Sequence, residues 1–274
     1  MTKLVSVINM KGGVGKTTLV FNLGMYLAEK HGKRVLLIDL DPQANTTLVA
    51  TDPDKYKEHC RTKKTIADVF IHAYKRYGPV DATTPKPVDL SDYIYNSFRN
   101  KKACLDLIPS ELMLSSVLKG MSMGPHDLDV LLTPDNLAKY DFVILDCAPT
   151  NSALTTIALN ASRAVLIPMI ADSFGSHGTT LMRQVLDEHK HDFGVEVKTI
   201  GVVFTMWEDQ ADPLRNSNEI IKLWPNGSIF RSKIRRDNWY RVSNGKRENI
   251  WNSPAHGPTK REFDAFVAEF LQKA

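Results

Sequence analysis

The stretch Met10–Thr18, MKGGVGKTT, decides the fold, because it joins a glycine-rich turn to a lysine and two threonines directly after an apolar segment. The second half of the Walker A pattern G-x-x-x-x-G-K-[ST] is met at residues 15–17, but Met10 stands where the first glycine is expected. Glycines let successive backbone N–H groups face one anion, and a following helix presents its positive N-terminus. The stretch therefore predicts a phosphate-binding loop with one additional lysine, Lys11.

The phosphate loop supplies most of the predicted nucleotide contacts. Lys16 is expected to reach the β- and γ-phosphates, and the Thr17 hydroxyl is expected to ligate Mg²⁺. The predicted contacts within the loop are Lys11, Gly12, Gly13, Val14, Gly15, Lys16, Thr17 and Thr18.

Five short, nearly continuous apolar runs indicate buried strands. They are LVSVIN at 4–9, RVLLID at 34–39, DFVILD at 141–146, RAVLIP at 163–168 and TIGVVF at 199–204. Runs of this length, rich in Val and Ile, suit strands buried on both faces of a parallel sheet. Helical spacing follows the first run over 17–30 and the third run, where Ser152 is expected to cap a helix. This alternation predicts a doubly wound α/β fold with a mostly parallel sheet flanked by helices.

The length of 274 residues and the 43% hydrophobic content suit one folded domain spanning 1–274. The region 52–102 interrupts the alternation, and we interpret it as an elaborated insert of loops and short helices on the same domain, with one helix at 65–77. A separate small domain is the alternative. The three cysteines are far apart, which indicates reduced thiols rather than a disulfide framework. Without a leader-like start or a run of eighteen apolar residues, we expect a chain that is neither secreted nor membrane-spanning.

The basic residues are concentrated in one segment. Residues 231–247 carry seven Lys or Arg against one Asp, whereas the first 230 residues carry 25 basic and 26 acidic residues. Such a local excess of positive charge favours a polyanionic partner, although a solvated face with extended arginine side chains remains an alternative.

Three motifs together resemble the ParA/MinD superfamily of partition and positioning ATPases. KGGVGKTT at 11–18 resembles its deviant Walker A box, VLLIDLDPQANTT at 35–47 the second signature of the ParA branch, and FVILDCAPT at 142–150 its Walker B strand. The resemblance covers most of residues 1–206 and the basic segment, and it implies ATP and Mg²⁺ as cofactors.

The resemblance also implies roles for the site residues. Lys11 would act in trans across an ATP-dependent homodimer. Lys11, Lys16 and Asp41 would be catalytic, and Asp41 would position the attacking water. Thr17, Asp39 and Asp146 would form the metal site, Asp39 as a neighbouring acid. Thr205 and Met206 would line the adenine pocket, and residues 170–180 would lie at the dimer face. No covalent nucleophile is needed, because positioning and electrostatics carry most of phosphoryl transfer. Turnover is expected to be slow, because a single aspartate activates the water only weakly.

For the basic segment, the resemblance implies contacts to nonspecific DNA. The predicted contacts are Arg231, Lys233, Arg235, Arg236, Arg241, Lys246 and Arg247. Arg231 and Arg235 align most readily with the family's arginines, although Phe230 replaces a usual proline and Arg236 is an extra charge. The implied protein is cytoplasmic and nucleoid-associated, and a ParB-like or adaptor protein stimulates it to position a plasmid, chromosome or protein cargo.

Three other classes of protein share parts of this pattern. A MinD-like membrane-positioning ATPase would use the amphipathic segment 259–274, but its mixed charges favour packing onto the sheet and no membrane contact. A metallocluster reductase resembling nitrogenase iron protein needs interface cysteines, and Cys147, next to the Walker B acid, is badly placed for that. A sequence-specific repressor is not expected, because no helix-turn-helix extension precedes Lys3.

Overall fold

The computed structural model describes residues 1–74, 86–172, 175–224 and 227–274, and within these ranges eight strands form one sheet. The strands are β1 Lys3–Val7, β2 Arg34–Leu40, β3 Tyr95–Arg99, β4 Cys104–Ile108, β5 Phe142–Cys147, β6 Ala164–Met169, β7 Lys198–Trp207 and β8 Ile229–Arg235. The helices are α1 Lys16–His31, α2 Asn45–Ala50, α3 Pro53–Thr62, α4 Ile66–Tyr74, α5 Met113–Gly120, α6 Pro134–Leu137, α7 Ala153–Ser162, α8 Gly175–Phe193, α9 Ala211–Lys222, α10 Asn238–Lys246 and α11 Gly257–Lys273.

The order of the strands brings the predicted site residues to one edge of the sheet. The order is β3-β4-β2-β5-β1-β6-β7-β8, and of these strands β3 alone runs antiparallel to its neighbour. Asp146 in β5 lies in register with Val7 at the end of β1 and with Asp39 in β2. The connection after β1 leads to β2 and the connection after the adjacent β5 leads to β6, in opposite directions along the sheet. A crevice therefore opens at the carboxyl ends of β1 and β5, where ligands of such sheets bind. The predicted fold class is confirmed.

The five predicted strands are all present, as β1, β2, β5, β6 and β7. Helix α1 ends at Gly32, which adopts the left-handed conformation with φ 61° that glycine tolerates best. Ser152 precedes α7 as predicted, but its side chain makes no capping hydrogen bond, so that part of the prediction is wrong. The Ser152 hydroxyl instead accepts a hydrogen bond from the Thr150 hydroxyl at 3.3 Å.

The region 52–102 contains more regular structure than its sequence indicates. Helices α3 and α4 fit the expected short helices, and the final residues of the predicted helix, 75–77, lie outside the described residues. The expectation of loops after that helix is corrected by β3, a half-exposed edge strand whose sequence YNSFR has no apolar run. The interpretation of the chain as one domain stays a prediction.

Strand β8 was also missed, because its residues alternate instead of forming an apolar run. Phe230 and Ile234 are buried, whereas Arg231, Lys233 and Arg235, which alternate with that face, are on the other face. This period of two is typical of a half-buried edge strand, and charged residues on such an edge discourage pairing with other chains.

Helix α11 packs onto the sheet through its aromatic face. Phe263, Phe266, Val267 and Phe270 are at most 1% exposed, and the Phe266 ring lies 5.3 Å from that of Phe230 in β8. This confirms the prediction that the segment packs against the sheet, and the apolar face that a membrane helix would present is buried in the chain. Among the described helices, none has the length and apolar character needed to cross a bilayer.

Candidate functional site

The phosphate loop connects β1 to α1 at the carboxyl edge of the sheet. Gly13 and Gly15 adopt φ of 73° and 80°, a left-handed conformation in which other residues are strained. Asn9 braces the loop, because its Nδ2 donates to the Pro168 carbonyl at 2.8 Å and its Oδ1 accepts from the Lys11 N–H at 2.9 Å. The sequence analysis did not identify Asn9.

Lys16 is held inside the loop. It is 8% exposed, and its Nζ donates to the carbonyls of Asn9 at 3.1 Å and of Lys11 at 3.3 Å. Burial lowers the pKa of Lys16, and the negative charge of Asp146 acts in the opposite direction. A bound polyphosphate would stabilise this buried ammonium group far better than two carbonyls do.

Asp146 is the acid best suited to a metal. Its Oδ2 accepts hydrogen bonds from the hydroxyls of Thr17 at 3.0 Å and Thr46 at 2.6 Å, whereas its buried Oδ1 has no partner among the described residues. Burial raises the pKa of Asp146 to about 6, although both hydroxyls and the Lys16 charge lower it. An unpartnered carboxylate oxygen beside a threonine hydroxyl fits a hydrated Mg²⁺, which prefers oxygen ligands and keeps several waters.

Asp39 is directed at the loop that follows β2. Its Oδ2 accepts from the backbone N–H and the hydroxyl of Thr47, both at 2.8 Å, and its Oδ1 accepts from the Asp41 N–H at 3.1 Å. Burial, and then the charge of Asp146, raises the pKa of Asp39 to about 8. These contacts give Asp39 the role of shaping residues 41–47, and its predicted place in the metal site remains a prediction.

Asp41 borders the cavity above the phosphate loop, where Gly12, Lys16 and Thr17 also lie. Its Oδ1 accepts a hydrogen bond from the Gln43 N–H at 2.9 Å, which orients the carboxylate. One cavity of about 490 Å³ thus brings together predicted phosphate residues, the metal residue Thr17 and the water-positioning Asp41. Asp146 is hydrogen-bonded to Thr17.

A second cavity of about 600 Å³ adjoins the first, and Met206 and Asn244 border both. Together they have the size of a nucleotide site. Thr205 is buried and donates through its hydroxyl to the Val14 carbonyl of the loop at 2.8 Å, and Met206 has φ of 50°. Further lining residues that were not predicted for the nucleotide site are Asp237, Asn238, Tyr240, Arg241 and Asn244. Of these, Arg241 was predicted as a DNA contact. They could not be found before β8 and α10 were recognised as neighbours of the phosphate loop.

The second lysine of the loop pairs within its own chain. Lys11 Nζ forms an ion pair with Asp172, and both side chains are about one third exposed. Asp172 belongs to the stretch 170–180 that was predicted to lie at a dimer face. Residues 173–174 of that stretch lie outside the described residues.

Part of the basic segment is neutralised by acidic side chains from distant parts of the chain. Arg235 Nε donates to Glu262 at 2.8 Å, and Arg236 Nη1 lies 3.1 Å from Glu208. Lys233 Nζ lies 3.4 Å from the centre of the Trp207 ring, a cation–π contact. The local charge excess along the sequence therefore overstates the positive charge available to a partner.

The other predicted DNA contacts are arranged differently. Arg231, Arg241 and Lys246 are exposed. Arg247 ends α10 in the left-handed conformation, and its Nε donates to the Thr51 carbonyl. Arg236 is both exposed and ion-paired, so exposure and pairing do not divide these seven cations into two separate groups.

Cys147, the cysteine beside the Walker B acid, is buried, and burial raises the pKa of its thiol well above the ordinary range. The described residues contain no group of three or more His, Cys, Asp or Glu side chains arranged to hold a metal ion.

Comparisons with known proteins bear on the family and the fold of this chain. A family model described as an AAA domain, AAA_31, matches residues 2–198. The chain is 29% identical over 261 residues to the sporulation initiation inhibitor protein Soj of Bacillus subtilis (strain 168), which covers 94% of this chain and 89% of that protein. It is 27% identical over 281 residues to the chromosome-partitioning ATPase Soj of Treponema pallidum (strain Nichols), covering 98% and 92%. A solved McdA–ATP complex from Cyanothece shares the fold with a TM-score of 0.77 and 22% identity, over 99% of this chain and 96% of that one.

Proposed function

Since this chain belongs to the AAA-domain family matched above, and within it to the ParA family of partition ATPases, we propose that it hydrolyses ATP to switch a DNA-binding homodimer on and off. The observation that carries the proposal is the convergence of Lys16, Thr17 and Asp41 on one cavity at the carboxyl edge of the sheet, with Asp146 hydrogen-bonded to Thr17.

Each residue of the site has a distinct task in this proposal. Lys16 and the loop N–H groups bind the β- and γ-phosphates, and the base lies in the adjoining cavity beside Thr205 and Met206. Thr17 and Asp146 hold Mg²⁺, which when bound neutralises charge on the phosphates. Asp41 orients the attacking water. No group forms a covalent bond to phosphorus, because phosphoryl transfer needs positioning and charge neutralisation above all.

Lys11 would complete the site of a second copy. Its ion pair with Asp172 supports a monomer in which the Lys11 ammonium group stays bound to Asp172. The triphosphate bound by a second copy would then compete with Asp172 for this group. An added cation at the transferred phosphoryl group would act as an arginine finger does, and hydrolysis would then depend on dimerisation.

DNA binding is assigned mainly to the exposed cations Arg231, Arg241 and Lys246, with Arg235 and Arg236 contributing if their ion pairs open. Contacts of this kind reach phosphates and carry no sequence preference. The protein would work in the cytoplasm on the nucleoid, and a ParB-like or adaptor protein would stimulate hydrolysis. The buried apolar face of α11 argues against the MinD-like alternative.

The test combines ATP turnover with DNA binding. Mg²⁺-dependent turnover should fall by about two orders of magnitude or more in Lys16→Ala and in Asp41→Ala, but Asp41→Ala should still bind ATP. Binding of a nonspecific duplex, measured by fluorescence anisotropy at several salt concentrations, should require ATP and weaken steeply with salt. Turnover unaffected by Lys16→Ala, or DNA binding independent of nucleotide, would refute the proposal.

A further inference from the structure

The two cavities of the candidate site share one stretch of wall. Both cavities are bordered by Gly15, Thr18, Val49, Met206 and Asn244, and we call these residues the shared wall. Of the five, Thr18 and Asn244 have polar side chains. When the phosphates of a nucleotide occupy one cavity and its base occupies the other, the sugar that joins them must pass the shared wall. The hydrogen-bonding groups of the shared wall therefore face the sugar.

Asn244 is held in place by contacts to α1. It is half-buried in α10, its Nδ2 donates to the Thr18 hydroxyl at 3.2 Å, and its Oδ1 accepts from Asn22 Nδ2 at 3.1 Å. Asn22 is fully buried and is itself fixed, because its Oδ1 accepts from the Ile250 N–H at 2.7 Å. The Asn244 amide is thus oriented before a ligand binds, as a specific binding site requires.

These contacts leave part of the hydrogen-bonding capacity of Asn244 unused. A primary amide has two N–H donors and a carbonyl oxygen with two lone pairs. Thr18 takes one donor and Asn22 takes one lone pair. Within the described part of the chain, Asn244 therefore keeps one donor and one acceptor position. Two neighbouring hydroxyl groups match this pair, because one can accept from Nδ2 while the other donates to Oδ1.

We propose that Asn244 binds the 2′- and 3′-hydroxyls of the nucleotide and makes the site selective for ribonucleotides over deoxyribonucleotides. Removing either hydroxyl leaves one polar atom of the oriented amide without its partner, and such a loss lowers affinity. This inference rests on the proposed function, and it specifies the sugar of the substrate and the residue that selects it.

Isothermal titration calorimetry with Mg²⁺ and diphosphates tests the inference without turnover. The unmodified chain should bind ADP about three- to tenfold more tightly than 2′-deoxy-ADP or 3′-deoxy-ADP, because each analogue lacks one hydrogen bond. Asn244→Ala should bind all three diphosphates with equal affinity, because the amide is gone. If Asn244 only supported the fold, this variant would weaken all three by one factor and retain the preference for ADP, which would overturn the inference.

The matched control is Asn252→Ala. Asn252 Nδ2 donates to Glu29 in α1 at 2.9 Å, so this variant also removes an asparagine bound to that helix, but Asn252 lies outside both cavities. It should retain the preference for ADP, and loss of the preference here would overturn the inference.

The unmodified chain alone gives a second, independent decision. Tight ADP binding with equal affinity for both deoxy analogues would overturn the role of Asn244 and leave the proposed function intact. If ADP itself does not bind, the proposed function fails, and the inference fails with it.

Discussion

Lys11 and Asp172, 161 residues apart in the chain, form an ion pair beside the phosphate loop. The pair connects the residue that follows Met10 in the loop to the segment after β6. In the proposed trans role, Lys11 would have to leave this contact before reaching a second copy, so the pair would oppose dimer formation.

Removing Asp172 should therefore strengthen dimerisation. We expect Asp172→Asn to tighten ATP-dependent self-association by up to about fivefold, the range that a partly exposed ion pair contributes. Sedimentation velocity with and without ATP measures this change. Asp187→Asn serves as the control with equal charge, and Lys11→Ala should lose ATP turnover. Weaker association of Asp172→Asn would mean that Asp172 supports the dimer.

The buried acid Asp146 should make the metal-free chain less stable as pH rises. Its pKa is raised from 3.8 to about 6, so the folded chain holds this proton more tightly than the unfolded chain does. The contribution of Asp146 to stability is then greatest at low pH and is lost between about pH 4 and pH 6. Asp146→Asn should raise the free energy of unfolding near pH 7.5 by on the order of 2 kcal/mol.

Urea unfolding with EDTA at pH 4.5 and pH 7.5 measures this effect. The gain should shrink at the lower pH, and a gain equal at both values would contradict the assignment. The same variant should lose Mg²⁺-dependent turnover, because the carboxylate that holds the metal is gone.

Thr46 should matter for metal binding although the sequence analysis assigned it no role. Its hydroxyl donates to Asp146 Oδ2 at 2.6 Å and so orients the carboxylate. Thr46→Val removes the donor at nearly constant volume and should raise the Mg²⁺ concentration for half-maximal turnover by about tenfold. Thr46→Ser retains the hydroxyl and should behave as the unmodified chain; if serine fails to restore the Mg²⁺ response, packing of the methyl group is responsible.

Arg231 and Arg235, which lie on one face of β8 with Lys233 between them, should respond differently to truncation. The Arg231 side chain is exposed, so Arg231→Ala should weaken DNA binding and reduce the salt slope by about one without affecting folding. Arg235→Ala leaves Glu262 without its guanidinium partner and should lower the free energy of unfolding by about 1–2 kcal/mol. Anisotropy titrations and thermal unfolding of both variants separate the two roles. Equal stability of Arg235→Ala would argue that its ion pair contributes nothing to folding.

The aromatic face of α11 should be a main contributor to stability. Phe266→Ala empties a fully buried site beside Phe230 and should cost about 3–5 kcal/mol in urea unfolding. The exposed Leu112 provides the control, and Leu112→Ala should change stability by less than about 0.5 kcal/mol. A small effect of Phe266→Ala would mean that the helix detaches readily, and vesicle binding would then need to be measured.

The buried strands and the phosphate loop were predictable because their signals are local. An apolar run such as that of β5 indicates a strand buried on both faces wherever it occurs. Gly13 and Gly15 indicate a left-handed backbone conformation, in which other residues are strained. The edge strands β3 and β8 were not predictable in the same way, because a strand buried on one face carries a weaker pattern. The signal that could have revealed β8 was the alternation of the apolar Phe230 and Ile234 with the basic Arg231, Lys233 and Arg235.

By itself, the sequence determined the doubly wound sheet, the phosphate loop and the acids Asp39, Asp41 and Asp146 at its carboxyl edge, because each depends on residues close together in the chain. Tertiary structure alone decided which charges remain available. Asp172 pairs with Lys11, Glu262 with Arg235 and Glu208 with Arg236. Electrostatic partners are chosen by distance in space, and a charge count along the chain does not contain that distance.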